Sequence, residues 1–109
     1  MTTVYKVLGQ LNPSASTPTT VYTVPTANAA VVSSMAICNQ NAGNAIISIA
    51  VCPGNTAVTA TQYIVNNATC ASNDTIFLTL GVTLADSDTI VVESDNGDTS
   101  FNVFGSEIY

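Results

Sequence analysis

The sequence predicts an all-β fold, a single antiparallel β-sandwich or jelly roll of about eight short strands filling residues 1–109. Three observations lead there. Apolar residues recur with period two, turn residues interrupt them at short intervals, and no stretch keeps the i, i+3, i+4 spacing through three helical turns. The length is that of one domain with one core.

The first expected strand, Thr3 to Gly9, places Val4, Lys6 and Leu8 on one side and Tyr5 and Val7 on the other. Asn12-Pro13 and Thr17-Pro18 break the chain before the second, Thr19 to Val24, which Pro25 ends. Ala30 to Asn39 is the third. The fourth, Ala45 to Val51, stops at Cys52-Pro53-Gly54-Asn55, and Gln62 to Val65 makes a short fifth. Alternation is clearest in the sixth, Asp74 to Leu84, where Ile76, Leu78, Leu80, Val82 and Leu84 oppose Thr75, Thr79 and Thr83, with a bend expected at Gly81. Thr89 to Ser94 and Ser100 to Ser106 complete the set. Between them Asn96-Gly97 is expected to form a type I′ hairpin turn, which needs positive φ at both central residues.

Charge excludes whole classes of function. One Lys, no Arg and no His stand against seven acids, a net −6, so phosphate backbones and anionic lipid meet no basic footprint. Neither a nucleic-acid nor a membrane partner is expected. No basic segment followed by an apolar run is legible in M-T-T-V-Y-K, and Ala45 to Cys52 is far short of a membrane span, so synthesis in a cytoplasm is expected. Only 7% of residues are charged, against about 25% in ordinary domains, so the exterior must be built of Thr, Ser, Asn and Gln. Such a surface desolvates readily against another protein.

Without His, Ser-His and Cys-His nucleophile pairs cannot form and no imidazole can ligate zinc. No enzyme, cofactor or metal site is therefore expected. Asp86, Asp88, Glu93, Asp95 and Asp98 invite a calcium reading, but their spacing does not match an EF-hand loop, and solvated turn and edge positions explain them. Cys38 follows Met35 and Ile37 and reads as a small buried hydrophobe. Cys52 and Cys70 both flank turn-like segments and form the candidate disulfide.

Lys6, with Val4 and Leu8, marks a candidate interface. An edge-strand Lys discourages wrong pairing while its stem covers apolar surface, and pairing with an acid of the C-terminal third or of a partner subunit is the sharper expectation. Asn102-Val103-Phe104-Gly105 echoes the Lys6 stretch, which suggests that the terminal strands are neighbours.

K-V-L-G-Q, V-Y-T-V-P, V-V-S-S, Q-Y-I, L-T-L-G-V-T-L and S-F-N-V-F-G-S-E-I follow one another in this order along nearly the whole chain. The ordered set resembles a group of small virion structural proteins of tailed bacteriophages, frequent in phages of aquatic bacteria including cyanobacteria. The resemblance implies a non-enzymatic β-sandwich present in many copies on a particle. A capsid decoration or cement protein, bound to the major capsid protein and self-associated as a homo-oligomer, a trimer in the first instance, is the leading expectation. A neck, baseplate or tail-fibre component and a glycan- or receptor-binding module are the alternatives. Cys52 departs from the pattern, standing where a basic residue is expected before Pro-Gly.

Overall fold

A computed structural model describes residues 1–109. All eight expected strands form: β1 (Thr3–Leu11), β2 (Thr19–Thr23), β3 (Ala29–Asn39), β4 (Ala45–Cys52), β5 (Tyr63–Cys70), β6 (Thr75–Leu84), β7 (Thr89–Ser94) and β8 (Thr99–Ile108). A single 3₁₀ turn at Pro53–Asn55 follows β4. Its Gly54 has φ +62, a left-handed conformation that glycine adopts without a Cβ clash.

The strands make two four-stranded antiparallel sheets, in the orders β1-β8-β3-β6 and β2-β7-β4-β5. Paired Greek-key order of this kind, on two facing sheets, is the jelly roll. β1 pairs with β8, as the echo between the terminal segments suggested.

Every consecutive pair of strands except β4 and β5 lies in opposite sheets. This overturns the hairpin expected at Asn96-Gly97. β7 and β8 are not neighbours, the connection spans residues 95–98, and neither Asn96 nor Gly97 has positive φ. Here the chain crosses between layers, a path a two-residue I′ turn cannot supply.

Alternation buries one face of each sheet against the other. Phe101 and Val103 of β8, Met35 and Ile37 of β3, Ile47 and Ile49 of β4, and Ile90 and Val92 of β7 form the centre of the core. Burying a Leu, Ile, Phe or Val side chain stabilises by roughly 1.5–3 kcal/mol, so this pattern sets the register more firmly than any loop does.

Two glycines mark places where backbones close in. A Cβ on Gly9 would run into the carbonyl of Val21, where β1 of one sheet passes β2 of the other. A Cβ on Gly105 would strike the Val31 carbonyl of β3 and lie 3.1 Å from Leu8 Cδ1. Both sit beside irregularities in pairing, at Val7/Gly9 in β1 and Val32/Ser34 in β3. The Gly of K-V-L-G-Q is thus a packing requirement.

Candidate functional site

Lys6 and Val4 point to the inner side of β1, and Leu8, at the bulge, packs on the core. Lys6 Nζ donates to Glu107 Oε1 at 3.2 Å, and Tyr22 Oη donates to Glu107 Oε2 at 2.6 Å. Glu107 belongs to β8 of the first sheet and Tyr22 to β2 of the second, so one buried carboxylate ties the layers together. The Tyr22 hydroxyl, then Lys6, holds the Glu107 carboxyl below the usual carboxylate range against the opposing effect of burial. Burial, with the carboxylate beside it, pushes the Tyr22 phenol up. The Lys6 side chain is 46% exposed and Glu107 only 8%, so solvent reaches the pair from the Lys side alone. Of the three residues expected at an interface, Lys6 is engaged with Glu107 but still open to solvent, Leu8 packs on the core, and Val4 is half-buried. The apolar side chains that β1 presents outward are Tyr5 and Val7.

At the end of the barrel where β3 turns into β4, a buried amide links separate loops. Asn39 Nδ2 lies 2.9 Å from the Gly43 carbonyl and 3.1 Å from those of Cys70 and Ala71. Its Oδ1 accepts from the Asn41 N–H at 3.1 Å and from Asn96 Nδ2 at 3.3 Å. The loops after β3, β5 and β7 therefore share one hydrogen-bonding centre. Sequence reasoning missed it, because its partners are dispersed and Asn is ordinary in turns.

The carboxylates hold turns. Asp88 accepts from the N–H groups of Gly54 and Ala85, both at 2.8 Å; Asp95 accepts from Ile46 N at 2.9 Å, and Asp98 from Asn41 Nδ2 at 2.8 Å. Asp86 accepts from Ser87 Oγ at 2.5 Å and Ala27 N at 2.6 Å, and these donors hold its carboxyl below the usual range. No three acidic or thiol groups gather at one point.

All three cysteines are free, which overturns the candidate Cys52–Cys70 disulfide. Cys70 lies across from Ala45 at one end of β4 while Cys52 ends the same strand, so at about 3.3 Å per residue they stand roughly 23 Å apart. Cys38 is the least buried of the three, because alternation turns it away from the inward Met35 and Ile37. Burial pushes the Cys70 thiol up, away from the reactive thiolate form. One shallow recess, about 180 Å³, opens on the second sheet between Pro18, Val58, Tyr63, Val91, Ser48 and Glu93. Most of that space is open to solvent, and the part enclosed, about 10 Å³, is far below the roughly 300–1,000 Å³ of usual ligand pockets.

No other element of the chain covers the outer face of the first sheet, on which Gln10 Nε2 donates to Asn102 Oδ1 at 2.7 Å. The cross-strand rows of this face are Tyr5, Ser106, Val31, Thr83; then Val7, Phe104, Ser34, Thr79; then Gln10, Asn102, Ala36, Phe77. None of these side chains is charged. Tyr5 is 85% exposed and Phe77 75%.

These features define an all-β fold, a complete jelly roll held by core packing and polar ties. No protein-family model matches the chain, and no curated protein matches it in sequence. Solved structures share the fold. A chain of the T13 infectious bursal disease virus particle aligns over 97% of this chain at 9% identity with a TM-score of 0.57. A chain from the Gx strain of the same virus aligns over 97% at 9% identity with a TM-score of 0.51. A pentameric capsid protein from metagenomic phage sequences aligns over 96% at 19% identity with a TM-score of 0.41. This chain spans 29% and 32% of the two bursal disease virus chains and 64% of the phage one.

Proposed function

We propose that this chain is a non-enzymatic structural protein of a virion, seated on the capsid shell of a tailed phage as a decoration or cement protein. The observation that supports this most is the complete eight-strand jelly roll, whose backbone follows part of a virus-particle chain over nearly its whole length. The ordered motifs of the sequence point the same way. So do the carboxylates engaged at turns, the inward Lys6, and a surface that offers hydroxyls, amides and exposed aromatic side chains. The partner in this reading is the major capsid protein, and stabilisation accumulates from modest contact areas multiplied over many copies.

Counting copies on purified particles tests the proposal. Hundreds per particle, retained on tail-less heads, are expected. Recovery only with purified tails assigns the chain to the neck, baseplate or fibre and refutes the decoration role. Saturable, specific binding on a glycan array, with no copies on heads, refutes it in favour of receptor binding.

A further inference from the structure

We infer that Asn96-Gly97 is a deamidation site that the fold keeps latent, the Asn39 centre holding the Asn96 side-chain amide away from attack by the Gly97 nitrogen. Asn96 is the only Asn followed by Gly. Nothing in the fold demands glycine there. Its φ is not positive, and an added Cβ would meet nothing closer than Ala15 N at 3.9 Å. What the pair retains is its chemistry, since glycine offers an Asn side chain the least hindered backbone nitrogen.

The reaction balances with water as the only reactant from outside. Gly97 N gives up its proton to base and bonds to Asn96 Cγ, while the Cγ–Nδ2 bond breaks and the side-chain nitrogen leaves as ammonia. Water then opens the cyclic imide at either carbonyl, giving aspartate or isoaspartate. Both products add a carboxylate, and isoaspartate also lengthens the main chain by a carbon.

In the folded chain the nucleophile is free and the electrophile is clamped. Gly97 is exposed, and its N–H has no hydrogen-bond partner. Asn96 Oδ1 accepts from the Asp98 N–H at 3.0 Å and from Thr99 Oγ1 at 2.8 Å, while Nδ2 donates to the buried Asn39 Oδ1 at 3.3 Å. The Asn96 N–H donates to Ser94 Oγ at 3.3 Å. Side chain and backbone are thus both held, whereas attack needs Cγ turned over the Gly97 nitrogen with the reacting atoms aligned. Reaction therefore waits on a parting of the loops that meet at Asn39.

Conversion is one-way. A carboxylate at position 96 has no proton to give Asn39 Oδ1, and it stands between Asp95 and Asp98. Loops that open once and convert cannot close on the same bonds again.

Incubating the full chain in mildly alkaline buffer, with peptide mass mapping of position 96, tests this. Conversion should be at least about tenfold slower in the folded chain than in the same chain held unfolded in urea. Asn39→Ala and Thr99→Val, each shown to be folded by its thermal melt, should speed conversion of the folded chain by about threefold or more, the weight of one hydrogen bond. Gly97→Ala should melt like the parent and suppress conversion in urea. Asn96→Asp should raise hydrogen exchange in the loops after β3, β5 and β7 together. Equal rates in the folded and unfolded parent overturn the inference. So does faster conversion in the folded chain, which would make the two donors on Oδ1 a catalytic device rather than a clamp, and so does a folded-chain rate that neither Asn39→Ala nor Thr99→Val changes.

Discussion

Replacing Tyr22 by Phe removes one hydroxyl and keeps the ring in the core, so it isolates the tie between the sheets. The lost bond is the 2.6 Å donation to Glu107 Oε2. Hydrogen bonds to a charged group contribute about 1.5–3 kcal/mol, and the 3.2 Å contact from Lys6 still holds the carboxylate. A loss of about 2 kcal/mol is expected. Unfolding entropy of roughly 2.1 cal/mol/K per residue over this chain converts that to a midpoint lower by about 9 °C, read by calorimetry near pH 7. The pH dependence has two signs. Glu107 is held below its ordinary 4.5, so its contribution is present above that value and fades as pH falls further. Tyr22 is raised above its ordinary 10.0, so its contribution is present below that pH and is lost as the unfolded phenol ionises above it. The gap between parent and variant should therefore narrow in acid and again in strong base. A variant that melts within about 2 °C of the parent near neutrality, against the expected fall, would refute the claim that this carboxylate binds the layers.

Gly9→Ala drives a Cβ into the Val21 carbonyl and should cost about 3 kcal/mol, seen as a lower denaturant midpoint with an unchanged slope. Asn39→Ala leaves the carbonyls of Gly43, Cys70 and Ala71 without their buried donor and should cost about 3 kcal/mol; hydrogen exchange should rise in the loops after β3, β5 and β7 together. All three thiols should titrate once the chain is denatured without reductant, and added reductant should leave the melting temperature unchanged.

The strands were legible because each half-buried strand writes its burial into a period of two. Ile76 to Leu84 and Ile47 to Ile49 follow from side-chain direction alone. What the pattern could not convey was which strands share a sheet. Asn96-Gly97 carried a strong local hairpin signal, yet the layer crossing from β7 to β8 overrode it. The same limit applies to Cys52 and Cys70, whose turn-like surroundings say nothing of the strand length that separates them. Lys6 was half legible. Its odd place among apolar residues pointed to an acid of the C-terminal third, but only the packing of β2 beneath β8 makes Tyr22 the second partner. Asn39 was silent, since a buried amide is recognisable only once three loops converge on it.

The pairing of β1 with β8 alone bears on how the fold closes. β1 lies at the edge of its sheet, and its sole neighbour is β8, the strand of this fold farthest from it along the chain. Until β8 is in place, β1 has no sheet to join, and Val4, Tyr5, Val7 and Leu8 stay unpaired. Closure of so long a loop is slow, in the range of milliseconds to seconds for β topologies. The Lys6–Glu107 ion pair joins the same two strands, so it forms only when that loop closes.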